Sequence, residues 1–340
     1  MTAEDLSSWA EAVPGAVVEA VAGARSVLVV SHENPDADTL GAALALATVV
    51  EARGGRATAA CTDPVPELYS FLPGIERVRS DPEPGVAYDL LAIVDCGSLD
   101  RVGSIRHRNA ALFGSLPRVV IDHHLSNEAE TPTDWIDPAA AATCEMTALL
   151  ASRLGVPLTT GGGALATALM SGIVMDTATF AHPNATPRTL AVAAALVEAG
   201  APLSEIARRL YRTKPDAQLR LFGRVLDRLE HADDGRVIWS TLLDADLAAT
   251  ATGPAHSEGI IDLLAQAERA EVAILFKEQG SATRISVRTK PGGVDATVLT
   301  GTFGGGGHAR AAGATIELPL DDARVVVLAE ARRLASAVVR

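Results

Sequence analysis

The stretch RSVLVVSHENPDAD, Arg25–Asp38, runs from a short apolar segment into a histidine, a proline and two aspartates. Its first half predicts a strand, being β-branched, apolar and only a few residues long. Its second half places His32, Asp36 and Asp38 just past that strand. From Asp38 to Arg53 the spacing predicts a helix, with Leu40, Leu44 and Val50 among its apolar positions. Strand, acidic turn and helix together open a βαβ unit. Taken singly, Asp36 or Asp38 is most simply the N-cap of that helix.

The same order recurs downstream. ATAAC (Ala57–Cys61) reads as a weaker strand, followed by the Pro-rich loop TDPVPELYSFLPG. YDLLAIVDCG is a strongly apolar strand ending at Asp95, and PRVVIDHH is another, ending at Asp122 and followed by His123 and His124. Nearly all-apolar strands separated by helix-sized segments predict an α/β fold. Its parallel, Rossmann-like sheet would be covered by helices on both faces. In such a sheet the C-terminal strand ends share one edge, where ligands bind. SGIVMDTATF adds Asp176 at the end of a further apolar segment. Four aspartates and two or three histidines from distant segments thus converge on one crevice.

Bare carboxylates so gathered would repel each other and raise each other's pKa, a cost that divalent cations remove. Carboxylate and imidazole donors without thiolate suit Mn²⁺ first, then Mg²⁺ or Co²⁺. A carboxylate shared by two ions about 3.5–4 Å apart is the usual geometry of phosphoester-cleaving dinuclear sites.

Composition narrows the partners. The 340 residues suit about two domains. Forty-eight per cent are hydrophobic and 21% charged, which favours globular cores over disorder and excludes collagen, coiled-coil and disulfide scaffolds. The net charge of -13, from 29 Lys+Arg against 42 Asp+Glu, disfavours long duplex nucleic acid. It leaves room for a short anionic substrate with metal ions supplying positive charge. Cys61, Cys96 and Cys144 are sparse and form no CxxC pair. The N-terminus carries acids before its first basic residue, Arg25, unlike a signal peptide. The longest uncharged run, Leu154–Met175, is broken by Pro157 and Gly161–Gly163, too short for a membrane span. A soluble, cytoplasmic protein without membrane contact is expected.

From Thr143 to about Leu229 the pattern is helical, with TPRTLAVAAALVEAG, PLSEIARRLYR and PDAQLRLFGRVLDRL as successive helices. After His231 strands return in RVIWSTL, EVAILFKE and ATRISVRTK, followed by helical DATVLTGTF, then GGGGHARAAG, a short strand ATIELP and a C-terminal helix. There are no internal repeats. The four glycines before His308 leave backbone N–H groups free to curve around an anion, and a short helix after them is expected to point its N-terminus inward. No GxGxxG unit or GxxxxGK[ST] loop occurs. Aromatic residues total 4%, too few for a long base-stacking platform. His107 reads as a surface helix residue, His231 as a residue before a turn, and Ser257 as an N-cap. His182 and Asn184, close behind Asp176, read as loop residues within reach of a substrate.

Asp122-His123-His124 together with the other three segments resembles the DHH phosphoesterases. The family's first motif, HxxPDxDxxGS, stands here as His32-Glu33-Asn34-Pro35-Asp36-Ala37-Asp38-Thr39-Leu40-Gly41-Ala42, with Ala42 where Ser is common. Asp95 matches the second motif, and Asp176 in DTATF the fourth, Ala178 replacing a Gly. Phe303-Gly304-Gly305-Gly306-Gly307-His308, then Ala311-Ala312-Gly313, with Ser286-Val287-Arg288 upstream, resembles the DHHA1 domain. The resemblance spans roughly Ser26 to Gly313. It implies a DHH catalytic domain over 1–212, a linker helix over 213–232 and a smaller α/β DHHA1 substrate domain over 233–340.

Within the superfamily the chain is most similar to the branch of oligoribonucleases and 3′-phosphoadenosine-5′-phosphate phosphatases, which includes cyclic-dinucleotide phosphodiesterases. That likeness implies a homodimer and two Mn²⁺ ions. His32 and Asp36 would hold one ion, and Asp38, His123 and Asp176 the other, with Asp95 between them. Water activated by both ions would attack phosphorus. His124 is expected at the phosphoryl oxygen and Asp122 behind a histidine. Arg288, Gly305, Gly306, Gly307 and His308 are expected to clamp one end of a short RNA oligonucleotide or dinucleotide. Rival readings are a manganese pyrophosphatase, a processive single-strand exonuclease and a non-enzymatic cyclic-dinucleotide sensor.

Overall fold

The computed structural model describes residues 4–232 and 235–338. Five strands form the first sheet: β1 (Ser26–Val30), β2 (Arg56–Ala60), β3 (Leu90–Val94), β4 (Arg118–Asp122) and β5 (Asp134–Ile136). They lie in the order β2-β1-β3-β4-β5, and every adjacent pair is parallel. Side chains alternate between the faces, as the pleat requires. Val27, Val29, Leu90, Ala92 and Val94 enter one core with Leu40, Met146 and Leu169. Leu28, Val30, Leu91 and Ile93 enter another with Tyr88, Val102 and Ile105. Burial on both faces is why these strands read as continuous apolar runs and not as alternating ones.

Helices Ala37–Ala52, Thr143–Arg153 and Ala164–Asp176 line the first face. Short turns around Leu99–Val102 and helix Ser104–Arg108 help cover the second. The strand order changes direction between β1 and β3, which opens a crevice at their C-terminal ends. β5 has no counterpart in the sequence reading, since three residues carry too little periodicity to stand out.

The second sheet holds β6 (Glu230–Ala232), β7 (Val237–Leu242), β8 (Val272–Gln279), β9 (Ala282–Thr289), β10 (Gly306–His308) and β11 (Ala311–Ile316). Its order is β10-β11-β9-β8-β7-β6, with only β7 and β8 parallel among adjacent pairs. Helices Ala296–Gly301 and Leu320–Val338 cover one face through Leu299, Ala323, Val327 and Ala331.

The chain divides into two compact units, Met1–Thr213 and Lys214–Arg340. Helix Asp216–Leu226 buries Leu221, Phe222 and Val225 against Ile238, Leu242 and Leu275, so it belongs to the core of the second unit. Among the described residues no single helix is long and apolar enough to cross a membrane.

Candidate active site

β1 ends two residues before His32, and helix Ala37–Ala52 begins five residues after it. Asp36 is the N-cap, its Oδ1 accepting from the backbone N–H groups of Asp38 (2.9 Å) and Thr39 (3.1 Å). The capping role is therefore real, but it uses one oxygen. The other, Oδ2, faces His32 Nε2 at 3.8 Å. His32 Nδ1 lies 2.6 Å from the Glu33 carbonyl, which places its hydrogen there and leaves Nε2 as the free donor atom. Thr39 Oγ1 accepts from the His32 N–H and donates to the Val94 carbonyl, tying the ends of β1 and β3 together.

Asp95 comes directly after β3 and takes a left-handed conformation, φ 57°. Aspartate is among the few non-glycine residues that tolerate this, and backbone strain of this kind clusters at functional sites. The turn aims its two oxygens in different directions. Oδ2 lies 3.5 Å from His32 Nε2, and Oδ1 lies 3.5 Å from His123 Nε2. His123 Nδ1 faces the Ala140 carbonyl at 3.3 Å, again freeing Nε2, which sits 3.1 Å from Asp176 Oδ2 and 4.0 Å from Asp38 Oδ2. Asp176 is delivered by the last residue of helix Ala164–Asp176, and not by a strand.

Two donor groups result. His32, Asp36 and Asp95 form one, and Asp38, His123 and Asp176 the other, each with ligand atoms within 4.8 Å of one another. A third grouping of Asp95, His123 and His124 also meets that distance. There, however, His124 Nδ1 is only 2.7 Å from Asp122 Oδ1 and 3.7 Å from Asp95 Oδ1, so it is committed to Asp122. Asp122 is fully buried and its second oxygen accepts from Asn127 Nδ2 at 2.7 Å. This pair fixes the His124 ring and leaves its Nε2 side for a ligand.

The electrostatics derive from burial. Desolvation works to lower His32, but hydrogen bonds and charge from Asp36 and Asp95 outweigh it and push the imidazole up to about 10. His123 likewise rises to about 10, burial being outweighed by Asp176, Asp38 and Asp95. Burial and the Asp38 charge raise Asp176 to about 7 and hold Asp95 well above the carboxylate range. Burial also raises Asp38. Asp36 goes the other way, because His32 and two backbone N–H groups outweigh its desolvation.

The donor set fits divalent cations. Four carboxylates and two imidazoles face the crevice, while the thiols do not compete: Cys61 Sγ donates to the His32 carbonyl and Cys144 Sγ to the Asp38 carbonyl. Burial pushes all three thiols up. Cation binding must displace the protons held on His32 and His123. Manganese affinity is therefore expected to climb as pH rises through neutrality. Calorimetry in buffers of different ionisation heat should read net proton release at neutral pH. An isotherm indifferent to buffer and pH would contradict the assignment.

Several supporting groups carry no sequence signal. The N-terminus of helix Thr143–Arg153 meets the Asp38 carboxylate, with Thr143 N–H at 2.7 Å and Cys144 N–H at 2.9 Å. Thr143 Oγ1 donates to Asp95 Oδ1 at 3.1 Å. Gly172 lets helix Ala164–Asp176 approach so closely that a Cβ there would lie 2.3 Å from Asp38 Oδ1. After Asp176 the chain makes three successive left-handed residues, Ala178, Thr179 and Phe180, where the family motif has glycine at the first. His182 Nδ1 and Asn184 Nδ2 both reach the Asp176 carbonyl at 3.2 Å, so these two side chains brace the turn.

In the second unit the glycines behave differently from expectation. No short helix comes after them; Gly306–His308 is the edge strand β10, paired with β11. A Cβ on Gly305 would lie 2.2 Å from the Gly313 carbonyl, and one on Gly307 2.5 Å from that of Ala311. Close backbone pairing is what excludes side chains there. The register aligns His308 with Ala311 and Ala311 with Arg288. Directly paired residues share a face, so Arg288 and His308 flank a small alanine about 10 Å apart. Arg288 Nε is paired with Asp262 at 2.8 Å, while His308 is exposed.

Ser257 is not an N-cap: it lies in a single turn, donates to the Pro254 carbonyl and accepts from Lys277 Nζ at 3.0 Å. Lys277 is a basic group near this face that no sequence pattern singles out. Burial, then Arg284, lowers its pKa.

Residues 26–173 match the DHH family, N-terminal domain, and residues 237–337 match the DHHA1 domain. The bifunctional oligoribonuclease and PAP phosphatase NrnA of Thermus thermophilus is 32% identical over 321 residues, covering 93% of this chain and 91% of that protein. The protein of the same name from Bacillus subtilis is 26% identical over 296 residues, covering 86% and 89%. In fold, an exopolyphosphatase-related protein from Bacteroides fragilis superposes with a TM-score of 0.86 at 19% identity, covering 97% of this chain and 98% of that one.

Proposed function

The chain belongs to the DHH family of phosphoesterases, with a DHHA1 domain after the DHH domain, and on that premise we propose that it hydrolyses short oligoribonucleotides and dinucleotides with two Mn²⁺ ions. The observation that carries this reading is Asp95, whose two oxygens face two separate carboxylate–imidazole groups. Mg²⁺ or Co²⁺ would suit the same donors. The same kinship carries the expectation of a homodimer acting in the cytoplasm.

His32 and Asp36 would hold one cation, Asp38, His123 and Asp176 the other, and Asp95 both. When bound, the ions supply Lewis-acid charge that makes water a nucleophile near neutral pH and offsets charge on the phosphoryl group. The remaining work falls to side chains. Asp122, fixed by Asn127, holds the His124 ring through Nδ1. His124 Nε2 is then oriented to bind a phosphoryl oxygen and to pass a proton to the departing one. In the second unit, Arg288 and His308 would hold one end of a short oligonucleotide or dinucleotide. Arg288 would offer Nη2 to a terminal phosphate while Nε keeps Asp262 and Nη1 keeps the Val287 carbonyl.

The deciding assay runs the full chain with Mn²⁺ against pApA, pGpG, RNA of two to five nucleotides, cyclic dinucleotides, 3′-phosphoadenosine-5′-phosphate and pyrophosphate. Mononucleotide release from linear dinucleotides is expected. Hydrolysis of pyrophosphate alone, or tight binding with no turnover, would overturn the reading.

A further inference from the structure

Arg101 stands in the single turn Leu99–Val102, shortly after Asp95. Its Nη2 lies 3.5 Å from His32 Nδ1. That nitrogen already gives its hydrogen to the Glu33 carbonyl. Two donors therefore face each other, and the contact does not satisfy the guanidinium. Among the described residues no carboxylate pairs with Arg101. Arg106, Arg108, Arg118 and Arg188 of the same unit each have one.

The backbone beneath it is held firmly. The Arg101 carbonyl accepts from Glu33 N–H at 2.7 Å, and its own N–H donates to Ser98 at 3.1 Å. Gly103 closes the turn at φ 75°, where a Cβ would come 3.1 Å from both Glu33 Oε2 and Thr62 Oγ1. A half-buried cation is thus fixed beside the His32 group without neutralising any of its acids. A planar guanidinium kept out of ion pairs at such a place is suited to an arriving anion, and phosphate oxygens match its fork.

We propose that Arg101 is a phosphate-binding residue of the first unit, holding a non-bridging oxygen of the phosphodiester brought to the acidic cluster. This rests on the phosphoesterase reading above. The test compares the full-length wild type, Arg101→Ala and Arg101→Lys in three measurements: Mn²⁺ binding without substrate, inorganic phosphate binding to the Mn²⁺-loaded protein, and KM and kcat for pApA.

In Arg101→Ala, phosphate binding is expected to weaken and KM to rise, each by about tenfold or more. Mn²⁺ affinity should stay within about twofold of wild type, since no ligand is removed and the His32 ring is oriented by the Glu33 carbonyl rather than by Arg101. Arg101→Lys should recover part of the loss, as a point charge without the fork. Unchanged phosphate binding and KM in Arg101→Ala would overturn the proposal. So would a parallel fall in Mn²⁺ affinity, which would make Arg101 a positioning residue for His32. A wild type that turns over no dinucleotide would defeat the functional reading instead, and the phosphate titration would still decide the role of Arg101.

Discussion

Asp95→Asn is expected to lose at least about 10³-fold in Mn²⁺-supported turnover while remaining folded. A carboxylate shared by two cations contributes several kcal/mol to a dinuclear site, and each 1.4 kcal/mol is a factor of ten in rate. Asparagine is the informative replacement because it also tolerates the left-handed backbone at φ 57°. Alanine would add strain to the loss of charge. Asp95 is 2% exposed and its charged form is disfavoured by burial and by Asp38. The metal-free variant should therefore melt no lower than the metal-free wild type. Adding Mn²⁺ should raise the wild-type melting temperature much more than that of the variant. Wild-type turnover in the variant, or equal stabilisation by Mn²⁺, would remove Asp95 from its shared position.

The part of this site that is legible in the sequence is the part that strand chemistry controls. Asp95 and Asp122 each terminate an apolar run, and a parallel sheet must bring such ends to one edge. His32, Asp36 and Asp38 are placed by the same logic. Asp36 shows that the bland and the chemical readings need not compete, since one oxygen caps a helix and the other faces His32. The contacts of Thr143 with Asp95 and of Asn127 with Asp122 are not legible, because they arise only when distant segments pack. The glycine run before His308 is legible only in part. Four glycines announce close backbone approach, and at Gly305 and Gly307 the approaching group is β11, while the helix expected after them is replaced by strand β10.

Gly172→Ala should be the most damaging single methyl group in the first unit. Gly172 lies inside helix Ala164–Asp176, where alanine is intrinsically the better residue by about 0.5–1 kcal/mol. Packing reverses that preference. The added Cβ would stand 2.3 Å from Asp38 Oδ1, 2.5 Å from Cys144 Sγ and 2.8 Å from Asp38 Cα. None of these can yield cheaply: Asp38 is pinned by the N–H groups of Thr143 and Cys144, and both Asp38 and Cys144 are fully buried. Either the helix withdraws, carrying Asp176 away from His123, or the Asp38 carboxylate turns out of its place. Overpacking of this kind costs about 1–3 kcal/mol. A shift near 1 Å in a ligand costs on the order of 10² in rate. Gly223→Ala is the matched control, in helix Asp216–Leu226 with open space around its Cβ, and it should be neutral or stabilising. The expected contrast is a lowered melting temperature, reduced Mn²⁺ binding and slow turnover for Gly172→Ala, against wild-type behaviour for Gly223→Ala. If Gly172→Ala bound Mn²⁺ and turned over like the wild type, the close helix approach would have no part in placing Asp38.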